Sequence, residues 1–195
     1  MTKSISIFVV ACILGIGFIH GQSSNWRTFS SKDKTYSVEV PRNVGIEPVK
    51  SKDPKWKDTL LEVGVTGILM RVPGQESHRF SVLRIDLDLI PGFDKESKKL
   101  SEDDLVSYFA VMYTGEDDES QCLSEATLID NGGIKGREYT YVLDDRANNG
   151  GGKLYTRSRL FLRNRKLFIV KFEGTKRDEL TSSDANRFLT TFRMP

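Results

Sequence analysis

Histidine and cysteine are almost missing from this chain. Two of each occur in 195 residues, and a leader-like segment at residues 1–21 holds one of each, His20 and Cys12. Residues 22–195 therefore keep His78 and Cys122 alone. One imidazole cannot build a multi-histidine zinc site, and one thiol leaves no intramolecular disulfide in a compartment that favours them. Cys122 is a buried small hydrophobe or an intermolecular thiol, and burial is the expectation. His78 lies beside Pro73-Gly74, no Gly-x-Ser-x-Gly elbow occurs, and the expected role is that of an exposed turn histidine. An excess of one charge is also lacking. With 29 Lys and Arg against 27 Asp and Glu, the composition excludes a disordered polyelectrolyte and a uniformly basic nucleic-acid binder. Internal repeats, long linkers and low-complexity tracts are absent.

Ile5 to Ile19 is the one extended apolar run, preceded by Lys3. Its 15 residues fall short of the roughly 20 that a spanning helix needs and suit a secretory h-region. Ile19 and Gly21 fit the positions before a cut that makes Gln22 the new N-terminus. Val9-Val10-Ala11-Cys12 resembles a lipoprotein acceptor, but cutting there would leave Ile13 to Ile19 on the mature protein. The expectation is a signal peptide at 1–21, one domain at 22–195, and a periplasmic or extracellular product with no transmembrane segment after cleavage.

Hydrophobic periodicity gives the organisation. Trp26 and Phe29, a polar turn at 31–34, and alternating Tyr36, Val38 and Val40 predict a hairpin. A polar, Pro54-containing connection spans 50–57. Leu61, Val63 and Val65 alternate, and the parity shifts after Gly67 to Ile68, Met70 and Val72, which predicts a bulge at the glycine. After the turn at 73–77, Phe80, Val82, Leu83, Ile85, Leu87 and Leu89 predict a return strand up to Pro91. Ser101 with Asp104 three residues on reads as a capping box opening a helix through Leu105, Val106, Phe109, Met112 and Tyr113 to Gly115. Strand material follows around Gly132-Gly133 and Gly136. Leu154 to Arg163 and Lys166 to Phe172 form a hairpin about Asn164-Arg165. Ala185, Phe188, Leu189 and Phe192 predict a closing helix behind Thr181 or Ser182. The fold class is α+β, a central antiparallel sheet covered by helices.

Trp26-Arg27-Thr28-Phe29, Tyr36 to Pro41, Gly136-Arg137-Glu138-Tyr139, Arg159 to Leu162 and Arg187 to Phe192 together resemble the PsbP-like group. That resemblance implies an α-β-α sandwich around an antiparallel sheet. It also implies kinship with photosystem accessory proteins, a nuclear small-GTPase-binding protein and exported bacterial proteins of unknown role. It carries over no catalytic residues.

Four features carry candidate chemistry. Asp86 and Asp88 share a strand face by alternation, a pair suited to a hard cation or to acid and base work, although the same alternation describes a solvated face. Glu116 to Glu119 and Asp144-Asp145 lack EF-hand spacing, and Gly150-Gly151-Gly152-Lys153 lacks the other marks of a phosphate loop. Charge is segregated along the chain: residues 101–125 hold eight acids and no Lys or Arg, whereas 153–177 hold nine basic residues and one acid. Within the basic stretch, Arg157, Arg159 and Arg163 share parity with Tyr155 and Phe161. That surface suits an acidic protein, a polysaccharide or an anionic membrane surface; nucleic acid is not expected as a partner after export. The sequence therefore predicts an exported, non-catalytic binding or accessory protein with no cofactor. The competing classes are a carboxylate-based hydrolase using Asp86 and Asp88 and a self-associating envelope protein.

Overall fold

The computed structural model describes residues 25–48, 65–73, 75–89, 93, 99–114, 120–124, 126–145 and 152–195. The expected leader with Cys12, residues 50–57, Leu61 and Val63, Pro91, and residues 116–119 and 146–151 lie outside the described residues, as do the side chains of Met112, Tyr113, Asp144 and Asp145. Strands β1 (Trp26–Ser30) and β2 (Ser37–Pro41) form the first hairpin as a separate two-stranded ladder. The main sheet contains β3 (Gly45–Pro48), β4 (Val65–Val72), β5 (Gln75–Asp86), β6 (Ser120–Cys122), β7 (Thr127–Asn131), β8 (Ile134–Asp145), β9 (Gly152–Arg163) and β10 (Lys166–Gly174). Its order is β3-β4-β5-β10-β9-β8-β6, with β7 pairing β8 as well, and every pair is antiparallel.

Among the described residues, two α-helices, α1 (Glu102–Thr114) and α2 (Ser183–Thr191), accompany the sheet. The capping box of α1 forms as its sequence predicts: Ser101 Oγ accepts the Asp104 N–H at 3.1 Å and Asp104 Oδ2 accepts the Ser101 N–H at 3.3 Å. Ser182 caps α2 by accepting the Ala185 N–H at 3.2 Å. Turns are equally legible. Asn164 and Arg165 have φ of 50° and 58°, the doubly left-handed pair that matches strand twist in a two-residue hairpin. Gly132 and Gly133, at 66° and 89°, join β7 to β8.

Alternation along β10 divides the core. Phe168, Val170 and Phe172 pack with Val38, Val40, Met70, Phe80, Phe161, Phe188, Leu189 and Phe192 in one cluster. Leu167 and Ile169 pack with Ile85, Leu87, Val106, Phe109, Tyr139, Leu160 and Leu162 in the other. The first hairpin and α2 thus supply one cluster and α1 the other. The bulge expected at Gly67 is not there. Along β4, Ile68 and Met70 are buried and Thr66 and Arg71 exposed. Register runs unbroken through Gly67 opposite Leu83, and the irregularity falls between Arg71 and Val72. Gly67 is instead a point of close approach, where an added Cβ would lie 2.6 Å from the Val82 carbonyl oxygen.

Other expectations change for equally local reasons. The return strand stops at Asp86, and Leu87–Leu89 makes a 3-10 turn that leaves Leu89 half exposed. His78 sits within β5, half-buried against the Phe172 ring, with Nε2 3.4 Å from Glu179 Oε1. Cys122 is exposed on short β6, its thiol donating to the Ser124 carbonyl at 2.9 Å.

Candidate functional site

Arg157, Arg159 and Arg163 do lie on one face of β9, but α2 and the segments flanking it cover that face. Arg157 donates to the Leu180 carbonyl at 3.1 Å and to Asn186 Oδ1 at 2.7 Å, Arg159 to the Leu189 carbonyl at 3.0 Å, and Arg163 to the Met194 carbonyl at 3.0 Å. Glu138, on neighbouring β8, bridges Arg157 at 2.9 Å and Arg159 at 2.5 Å. The guanidinium side chains of Arg157 and Arg159 keep only 14% and 15% exposure. Phe161 corrects the expected aromatic surface outright: it is fully buried, stacked on Phe192 with centroids 5.7 Å apart. Tyr155 packs half-buried at the edge of the same cluster. Carbonyls at and just beyond the C-terminus of α2 favour the cations of Arg159 and Arg163, Arg157 meets a carbonyl just before the helix, and together the three arginines fasten the C-terminal segment to the sheet.

Asp86 and Asp88 are also separated from their expected arrangement. The strand ends between them; Asp86 Oδ1 accepts the Asp88 N–H at 3.2 Å, and the Asp88 carboxylate pairs with Arg165. Among the described residues, no set of three or more His, Cys, Asp and Glu side chains is gathered for a metal. The basic stretch 153–177 finds counter-charges one by one, at Glu138, Asp88 and Glu173. From the acidic stretch, Asp103 pairs with Arg137 at 3.2 Å.

An open cleft of about 570 Å³ lies where α1 begins, beside the two hairpin tips. Glu102, Asp103 and Val106 come from α1, Gly132 to Lys135 from the β7–β8 turn, and Leu162 to Asn164 from the end of β9. Arg163 is the one predicted contact residue that lines it. Its walls are a boxed helix start and two left-handed turns. Both signs of charge face the opening, Glu102 and Asp103 against Lys135 and Arg163. Exposed apolar groups lie close by. Arg137 links them, since Leu128 is its register partner and Ser107, the residue before Tyr108, accepts from its guanidinium at 3.1 Å. Leu128 is 69% and Tyr108 52% exposed, so the cleft is flanked by two side chains that offer apolar contact area. Sequence alone did not reveal this cleft, because its lining comes from three separated segments.

Outside the cleft lining, Asp33 in the turn of the first hairpin pairs with Arg84 of β5. Burial opposes the Asp33 charge, but hydrogen bonds from Arg84, Thr35 and Ser31 outweigh it and hold the carboxyl well below the usual range. Burial pushes the neighbouring Tyr36 phenol up to about 12.

No family model and no curated protein matches the chain by sequence. Solved structures do match. The solution structure of cyanobacterial PsbP from Synechocystis sp. PCC 6803 superposes with a TM-score of 0.57 at 16% identity, covering 93% of this chain and 96% of that one. A crystal structure from Bacteroides thetaiotaomicron VPI-5482 gives 0.50 at 12% identity, covering 88% of this chain and 49% of that protein. The fold is therefore PsbP-like, as the sequence resemblance implied. No helix among the described residues is long and apolar enough to cross a membrane.

Proposed function

We propose that this PsbP-like chain is an exported accessory module that holds a partner protein and carries out no chemistry on it. Its two helical layers, on opposite sides of the sheet, correspond to the α-β-α sandwich of the group. The partner's contact surface is the cleft at the start of α1 together with Tyr108 and Leu128. One observation carries this reading: a two-sign cleft adjoins two large, largely apolar side chains left in water, the combination of anchors and charged rim that protein interfaces use. Arg163 belongs to that surface, whereas Arg157 and Arg159 hold the fold together behind it. A segment bearing both signs of charge, with an apolar residue for the Tyr108 and Leu128 flank, fits the lining.

A photo-crosslinking residue at Lys135 tests the reading in native envelope and medium fractions, with one at Asp178, near the other end of the sheet, as control. A single adduct formed from position 135 and lost on Leu128→Ser is expected. Equal adducts from both positions, or an adduct indifferent to Leu128→Ser, would overturn the placement.

A further inference from the structure

The α1 face of the sheet is not apolar throughout. Ser81 of β5 lies opposite Lys171 of β10, Lys171 opposite Ser158 of β9, and Ser158 opposite Tyr139 of β8. In the adjoining row Arg79, Glu173, Thr156 and Tyr141 follow one another across the same strands. Arg71 extends that row onto β4. Directly opposed residues share a face, and neighbouring strands are about 4.8 Å apart, so these side chains form one compact patch. Leu160, Leu162, Leu167 and Ile169 fill the same face further along.

Burial makes the patch unusual. Ser81, Thr156, Ser158 and Glu173 are 4%, 0%, 0% and 8% exposed. The hydroxyls of Ser81, Thr156 and Ser158, and Nε of Arg79, are buried without a hydrogen-bond partner. Buried polar groups in native proteins are nearly always paired, and the exceptions call for a reason. Four unmet groups in two adjacent rows are too local to be scattered packing faults. Donors also dominate. Arg71, Arg79 and Lys171 bring three cations, while Glu173, 3.4 Å from Lys171 Nζ, is the one carboxylate in the two rows. Lys171 and Glu173 keep 21% and 11% side-chain exposure, so the patch reaches solvent there.

We propose that these rows form a binding site for a small oxyanion, a carboxylate or phosphate group. Its oxygens accept from the Ser81, Thr156 and Ser158 hydroxyls and from Arg79 Nε. Lys171 stands at the mouth and, with Arg79, supplies charge that offsets Glu173. The site is independent of the partner cleft and draws on none of its lining residues.

Calorimetry and thermal unfolding of the full chain, titrated with inorganic phosphate or acetate at constant ionic strength against chloride, provide the test. One of the two oxyanions is expected to bind saturably and raise the Tm beyond the chloride control; which one does so assigns the group. Ser158→Ala/Thr156→Val should weaken that binding by at least about tenfold while leaving the ligand-free Tm unchanged or higher, because it deletes unmet hydroxyls. Ser81→Ala serves the same purpose should the double variant misfold. Absence of saturable binding up to about 10 mM of either anion, or binding unaffected by these substitutions, overturns the proposal.

Discussion

Two single residues show how closely packing constrains the chain. Gly136 lies in β8 where an added Cβ would stand 2.4 Å from the Leu160 carbonyl oxygen and 2.6 Å from the Phe161 ring. Both are fixed parts of β9, so Gly136→Ala should cost about 1–3 kcal/mol, measured by urea unfolding. Asp33 supplies a pH signature. Its folded-state proton affinity lies below the unfolded value, so its contribution is present above about pH 4 and is lost as pH falls toward the depressed value. Asp33→Asn should therefore destabilise the protein slightly at neutral pH, since the pair is partly exposed. The gap from wild type should narrow in unfolding curves below about pH 4. Cys122 departs from expectation because a three-residue edge strand gives its side chain nothing to lie beneath. It should react with a thiol reagent in the folded state, without prior unfolding.

At the level of elements, turns and caps were legible because their signals are local: Asn164-Arg165 demands one hairpin geometry, and Ser101 with Asp104 closes on itself. Short β3 and β6 were not legible, since four and three residues are too few to show a period. Nor was the fate of the β9 arginines. Alternating Arg with Thr and Ser reads as a solvated face, yet α2, distant in sequence, covers one side, and hydroxyls are buried on the other. The arginine fastening is testable. Glu138→Ala leaves the Arg157 and Arg159 guanidiniums without their shared carboxylate and should cost about 1–3 kcal/mol. In a double-mutant cycle with Arg159→Ala the losses should fall short of additive. Phe192, fully buried between Tyr36, Phe161 and Phe168, should cost about 3–5 kcal/mol on Phe192→Ala.

For the whole molecule, the two clusters share β5, β9 and β10, so neither face can melt by itself. In a Trp56→Phe variant, which leaves Trp26 as the sole tryptophan, fluorescence from the hairpin face and the far-ultraviolet circular dichroism of the sheet should trace one coincident transition. Sequence conveyed the fold class because burial patterns are written along each strand; it did not convey the cleft or the polar rows because those exist only across strands. One backbone contact reaches further. Arg193 and Ser37 exchange both hydrogen bonds, at 2.8 and 2.9 Å, and Met194 is buried, so the first hairpin is locked by a segment far from it along the chain. Closing so long a loop costs entropy that only the assembled core repays, so this lock is among the late contacts of folding.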